Sequence, residues 1–307
     1  MSIAGGFLKS LELARNLRST ALQIFSASPR MWAGPGRKVD PGEAEEFRRR
    51  RAELGLAPLV IHANYLINLA APDDRTRALS VSGFRGELER AVALGADFLV
   101  VHPGSRRDST IETAVDRISG SMARAARGMN LGSLRILVEI TAGQGSAVGS
   151  RIEELRAILG ACARLPVGVC LDTAHLFAAG YPIHTQEGMD GTMAKIAREI
   201  GLDRVRVVHV NGSKALFGSR VDRHEHLGLG QIGLEAMGRI VNHPALAGRA
   251  FILETPIDQP GDDWRNVSAL WRLAGVEWKQ PLDSPAAPAD GFRPRRKAAR
   301  GDQTQTR

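Results

Sequence analysis

The chain has 307 residues, 43% of them apolar, with a net charge of +8 and an isoelectric point near 10.1. That length exceeds a typical domain but suits an α/β barrel, which runs to about 250 residues or more as one unit. No run of about 18 apolar residues occurs, so no membrane span is expected, and Met1-Ser2-Ile3-Ala4-Gly5-Gly6 lacks the basic start and apolar stretch of a secretory signal.

In chain order the spacing of apolar residues predicts helix Phe7–Leu17, strand Thr20–Phe25, helix Pro41–Leu54, strand Pro58–Ile61, helix Thr76–Leu94 and strand Asp97–Val101. It continues with helix Ile111–Arg127, strand Arg135–Ile140, helix Arg151–Cys162, strand Val167–Leu171 and helix Glu187–Ile200. Strand Val205–Val210, helix Gly233–Asn242, strand Ala250–Leu253 and helix Asp263–Leu273 complete the series. Strand alternating with helix argues for parallel βα units, and near-continuous Val, Ile and Leu in the strands argues that both sheet faces are buried. The expected fold is a TIM (β/α)8 barrel formed by residues 1–279 as one domain. Eight helices stand against seven strands, and the first helix begins almost at Met1. The expectation is an eight-stranded barrel whose first strand lies upstream of Met1; a seven-stranded barrel is the alternative.

Nine side chains that suit a divalent metal sit at or just beyond the ends of these strands: His62, His102, Glu139, Asp172, His175, His209, Asp222, His224 and Glu254. Imidazole with carboxylate suits zinc and other borderline ions, and nine ligands are too many for one tetrahedral ion but fit a cluster of two or three. In such barrels the active site forms at the carboxyl ends of the strands. One histidine there is more often a satisfied structural residue, but five of the chain's eight histidines together with four carboxylates are hard to explain that way. Asp172 and His175, and Asp222 and His224, are expected to lie in loops and to share an ion or bind adjacent ones. His226 is expected to be a bystander, and His184 and His243 to be structural or exposed.

The positive excess is compatible with a polyanionic partner such as nucleic acid. From residue 280 onward six basic residues face three acidic ones, a net +3 that leaves +5 for the rest. Residues 280–307 are rich in Pro, Ala, Arg and Gln without apolar periodicity, and are expected to form a disordered basic tail. The two cysteines, Cys162 and Cys170, argue against a disulfide framework and for a reducing cytoplasm, with Cys170 a small core residue.

Several segments carry a specific resemblance. They are His62-Ala-Asn-Tyr-Leu-Ile-Asn-Leu69, His102-Pro-Gly-Ser105, Glu139-Ile-Thr-Ala-Gly-Gln-Gly-Ser146, Asp172-Thr-Ala-His-Leu-Phe-Ala-Ala-Gly-Tyr181, His209-Val-Asn211, Phe217-Gly-Ser-Arg-Val-Asp-Arg-His224 and Leu253-Glu-Thr255. In order and spacing, from Ser2 to about Trp271, they resemble the endonuclease IV family of zinc-dependent apurinic/apyrimidinic endonucleases. The resemblance implies three zinc ions. His62, His102 and Glu139 would hold the first; Glu139, the catalytic residue, would bridge to the second, completed by Asp172, His209 and Glu254; His175, Asp222 and His224 would hold the third. It also implies that Tyr65 and Leu66 insert into DNA at the lesion and that Arg30, in Ser28-Pro-Arg-Met-Trp32, lies in a second DNA-probing loop. Lys214 and Arg220 are candidate phosphate contacts.

The implied activity is hydrolysis of duplex DNA on the 5′ side of an abasic site, leaving a 3′-hydroxyl and a 5′-deoxyribose phosphate, with removal of blocked 3′ ends, by a cytoplasmic monomer. Two departures from the family pattern stand out. Its first strand ends in Gly-Ala-His-Val-Ser before Ala-Gly-Gly, where this chain begins Met-Ser-Ile-Ala-Gly-Gly, and Gly212 stands where an Asp is usual. Neither touches the nine ligands. Two other readings compete: a single-metal sugar isomerase or epimerase using Glu139, Asp172, His209 and Glu254, and a non-catalytic binder of damaged DNA.

Overall fold

The computed structural model describes residues 1–32 and 38–277. In chain order its elements are α1 (Phe7–Asn16), β1 (Leu22–Phe25), α2 (Pro41–Glu53), β2 (Leu59–His62), α3 (Asp74–Leu94), β3 (Phe98–Val101), α4 (Ile111–Ala125), β4 (Arg135–Glu139), α5 (Ile152–Ala161) and β5 (Val167–Asp172). Then follow α6 (Thr173–Ala179), α7 (Gln186–Glu199), β6 (Val205–His209), β7 (Gly212–Ser213), β8 (His224–Glu225), α8 (Leu234–Val241), β9 (Ala250–Ile252) and α9 (Asp262–Leu273). Every expected strand and helix is present, with ends displaced by one or two residues. The basic tail expected over residues 280–307 lies outside the described residues.

Side-chain caps set several of the helix starts. Asp40 accepts from Glu43 N ahead of Pro41, Asp73 from Thr76 N and Thr110 from Thr113 N, each satisfying an orphan amide of the first turn. α3 stops at Gly95, whose φ of 66° is left-handed. Three elements were not expected, α6, β7 and β8. α6 starts directly from β5, because the Asp172 carboxylate accepts from His175 N at 2.8 Å and caps a helix where a loop was expected. β7 and β8 form a small antiparallel pair, so His224 is anchored opposite Ser213. Gly212 lies in that pair, where a Cβ would come within 2.5 Å of the His226 carbonyl.

The main sheet runs β1-β2-β3-β4-β5-β6-β9, all parallel, with β1 and β9 not hydrogen-bonded to each other. Seven strands thus nearly close a barrel, leaving one seam. The Met1 ammonium donates to Gln23 O at 2.6 Å there, beside a cleft of about 110 Å³ between β1 and β9. Helices pack Leu11, Phe47, Phe84, Leu88, Ile118 and Ile196 against the outward strand residues. A separate inner cluster, Val60, Val100, Leu137, Cys170, Val207 and Ile252, fills the barrel. Among the described residues no helix is long and apolar enough to cross a membrane.

Candidate metal centre

Side chains alternate along a strand, so the residue two beyond an inward-facing one also faces inward. Two residues beyond Val60, Val100, Leu137, Cys170, Val207 and Ile252 stand His62, His102, Glu139, Asp172, His209 and Glu254. Six of the nine expected ligands therefore form one polar layer on the apolar floor of the barrel, at its carboxyl end. His175 reaches the same layer from the first turn of α6, and Asp222 and His224 from the excursion after β6.

Their atoms gather into three overlapping groups, each with one candidate ligand atom per residue within 4.8 Å of the others: His62, His102 and Glu139; Glu139, Asp172, His209 and Glu254; and Asp172, His175 and His224. Glu139 links the first two. Its Oε2 lies 3.2 Å from His62 Nε2 and 3.1 Å from His102 Nε2, while Oε1 lies 3.0 Å from His209 Nδ1. His209 Nδ1 is also 3.1 Å from Glu254 Oε2. Asp222 places Oδ2 3.2 Å from His175 Nε2 and Oδ1 3.3 Å from His224 Nε2. Asp172 thus falls into two groups, beyond the one the resemblance implies.

The donor chemistry fits divalent cations. A neutral imidazole ligates through one nitrogen while its other N–H donates elsewhere, and that second bond selects the tautomer. His62 Nδ1 faces Ala63 O at 2.8 Å and His224 Nδ1 faces Glu254 O at 3.2 Å. His175 Nδ1 faces Ile140 O at 2.8 Å. Carbonyls only accept, so all three rings turn Nε2 to the cluster. The charges agree. Burial favours a neutral Glu139 carboxyl, but His209, His102 and His175 hold it well below the usual carboxylate range. Burial opposes a charged His175 ring too, yet Asp172, Asp222 and Glu139 raise it well above the ordinary value. The buried carboxylates call for cations.

Two contributors carried no expected role. Asn211 donates from Nδ2 to Asp172 Oδ2 at 2.6 Å and accepts from Glu254 N at 2.8 Å, tying two candidate ligands together. Its only sequence signal was its place two residues after His209. Gln23, on β1, lies 2.9 Å from His209 Nε2 and 2.5 Å from Glu254 Oε1. Nothing in its strand-like run marked it.

Around the mouth, Tyr65 and Leu66 are exposed and Arg30 points to solvent. The two loops that carry them are stitched together: Asn64 Nδ2 donates to Ser28 O and Met31 O, and Tyr65 N to Pro29 O. The Tyr65 ring packs 5.3 Å from Phe25 and 5.4 Å from His62, so it is held over the first group. Lys214 and Arg220 are both exposed, and Arg220 is held at a φ of 56° with its amide on Ala178 O. A cleft of about 390 Å³ opens between Tyr65, Asn68, His102, Ser105, Gln144 and Asp222. A larger cavity of about 530 Å³ lies at the opposite mouth and contains none of the nine residues. His226 is bonded instead to Asn266 Nδ2 at 2.9 Å, and His184 packs on Phe177 and Phe217. Both cysteines are buried and unpaired.

A parallel βα barrel with histidines and carboxylates converging at its carboxyl mouth defines a metal-binding barrel protein. The family described as Xylose isomerase-like TIM barrel matches residues 11–273. A probable endonuclease 4 of Solibacter usitatus is 45% identical over 284 residues, 91% of this chain and 97% of its own length. One of Methanoculleus marisnigri is 39% identical, across 90% of this chain and 98% of its own. The crystal structure of endonuclease IV from Thermus thermophilus superposes with a TM-score of 0.80 at 41% identity, covering 90% of this chain and 97% of that one. The chain belongs to the endonuclease IV family, and it is a nuclease. A D-tagatose 3-epimerase-like protein, at 19% identity and a TM-score of 0.65, shares the fold alone.

Proposed function

We propose that this nuclease hydrolyses the phosphodiester 5′ to abasic sites in duplex DNA, leaving a 3′-hydroxyl and a 5′-deoxyribose phosphate, and trims blocked 3′ ends, as a cytoplasmic monomer acting on the nucleoid. The observation that carries the reading is the convergence of nine histidine, aspartate and glutamate side chains at one mouth, in groups that share Glu139 and Asp172. Three zinc ions suit them. His62, His102 and Glu139 would hold one; Glu139, Asp172, His209 and Glu254 a second; His175, Asp222 and His224 a third. When bound, zinc supplies Lewis acidity: charge neutralisation at the phosphate, an acidified water and support for the departing oxygen.

The protein's own groups do the rest. Glu139 keeps both carboxylate oxygens on the metal side, and Asn211 holds Asp172 and Glu254 in register. Tyr65 and Leu66 are the apolar wedge, Arg30 the probing cation, and Lys214 and Arg220 backbone contacts. A missing base lowers the cost of turning the nucleotide out of the stack, which favours abasic over intact DNA. A sugar isomerase would need only Glu139, Asp172, His209 and Glu254, and would leave the other five converging residues without a task.

The test is incision of a duplex carrying one tetrahydrofuran abasic analogue, without magnesium. That analogue cannot undergo β-elimination, so a nick on its 5′ side is hydrolysis. Zinc-loaded protein that leaves it intact refutes the reading. Tyr65→Ala is expected to weaken binding of that duplex about tenfold at fixed salt, as loss of one stacking aromatic does, with zinc content unchanged. Arg30→Ala is expected to lower the salt slope of binding by about one, as loss of one phosphate contact does. Fluorescence anisotropy across a salt series checks both.

A further inference from the structure

We propose that Gln23 is a positioning residue of the metal centre, whose amide holds His209 with Nδ1 turned to the cluster and braces Glu254 across the open seam. This rests on the reading that Glu139, Asp172, His209 and Glu254 hold a metal. Gln23 stands where the barrel's periodicity places a ligand. Ala21 packs against the inner apolar cluster, and Gln23 comes two residues later, as His62 follows Val60 and Glu254 follows Ile252. Of the seven barrel strands, β1 alone brings an amide to that position rather than a histidine or a carboxylate.

The amide can bind in one sense only. The Glu254 carboxylate accepts and does not donate, so the Gln23 Nε2 group, 2.5 Å from Glu254 Oε1, must face it. Gln23 Oε1 then lies 2.9 Å from His209 Nε2, which must carry the proton. A neutral imidazole has one N–H. With it on Nε2, the lone pair of Nδ1 points at the space shared with Glu139 Oε1 and Glu254 Oε2, 3.0 and 3.1 Å away. The other ligating histidines with a resolved second bond use backbone carbonyls for this purpose. Of these four, His209 is the one whose second bond goes to a side chain. The same amide also links β1 to Glu254, two residues past the end of β9, and β1 and β9 have no backbone pairing between them.

The test uses the full-length protein and zinc alone as the probe. Gln23→Met keeps the length and removes both bonds. It is expected to lower the affinity of one zinc site 10- to 100-fold in chelator competition, the usual effect of losing a ligand's hydrogen-bond partner. The melting temperature of the stripped variant, measured beside it, separates loss of zinc affinity from the cost to the fold of leaving His209 Nε2 without its partner. In the zinc-loaded parent, the His209 ring should show an exchange-protected Nε2–H with a cross-peak to the Gln23 side-chain amide. In Gln23→Met that proton should exchange freely. Gln23→Glu should restore its protection but not the affinity, because a second carboxylate then faces Glu254. Unchanged zinc affinity in Gln23→Met, or a parent His209 protonated on Nδ1, overturns the proposal. His209→Ala and Glu254→Gln are the controls. If they too keep full zinc, the metal reading itself fails; if they lose it while Gln23→Met does not, only the role of Gln23 fails.

Discussion

Glu139→Gln is expected to lower incision of an abasic duplex by at least about a thousandfold and to leave one zinc ion per chain in place of the three proposed. The amide has nearly the same shape, so the fold is retained and the loss is chemical. Glu139 uses both oxygens, Oε2 toward His62 and His102 and Oε1 toward His209. In glutamine one oxygen becomes an NH2 group, which donates, cannot ligate and carries no charge. Two of the three groups lose a member, while Asp172, His175 and His224, with Asp222 beside them, stand without it. Steady-state kinetics on the tetrahydrofuran duplex and elemental analysis of the same sample check both halves. Full zinc content with full activity would remove Glu139 from the centre. Full zinc content with lost activity would leave it catalytic but not a ligand.

Much of this arrangement is legible in the sequence for one physical reason. Strands buried on both faces are written as runs of β-branched and other apolar residues, so a His or Asp closing such a run stands out. Pro58-Leu-Val-Ile-His62 and Phe251-Ile-Leu-Glu254 are of that kind. What the sequence does not display is which strand ends meet, since His62 and Glu139, 77 residues apart, come within 3.2 Å only through the pairing and curling of β2, β3 and β4. Short capping interactions are not legible in the sequence either. Asp172 reads as a ligand, and its second task, starting α6, depends on one hydrogen bond to His175 N. Gln23 escaped because an amide at a strand end has no chemistry of its own. Its role exists only in relation to His209 and Glu254, 186 and 231 residues away. The seven-against-eight strand count was visible in the sequence, and in the structure it corresponds to the seam between β1 and β9.

Stripping the metal is expected to lower the melting temperature by an amount that grows as pH rises from about 6 to about 9. In the stripped protein the histidines serve as the cations among the carboxylates. Burial opposes charge on His224, but Asp172 and Asp222 outweigh it and raise its pKa to about 9. A folded-state value above the unfolded one of about 6.5 means that the stabilisation is complete below about pH 6.5 and is lost as pH climbs through about 9. For His224 alone that loss is on the order of 3 kcal/mol. Glu254 behaves oppositely: burial raises it, but His209 outweighs burial and brings its pKa down to about 2. Its contribution is present above about pH 4.3 and is lost only as pH falls through about 2, so it is silent across the alkaline window. The loaded protein has the reverse dependence, because ligation needs neutral imidazoles and each proton removed by the solvent is one the zinc need not displace. Each zinc held at about a thousand times its Kd adds about 4 kcal/mol, and that increment strengthens with pH while the stripped fold weakens. Thermal scans of loaded and stripped protein at fixed free zinc, at pH 6, 7.5 and 9, read the gap directly. Titration calorimetry near pH 7 in buffers of different ionisation enthalpy should show more than one proton released per chain on loading. A gap that stays constant or narrows with pH, or loading without proton release, would mean that the charged histidines and the metal do not compete for the same nitrogens.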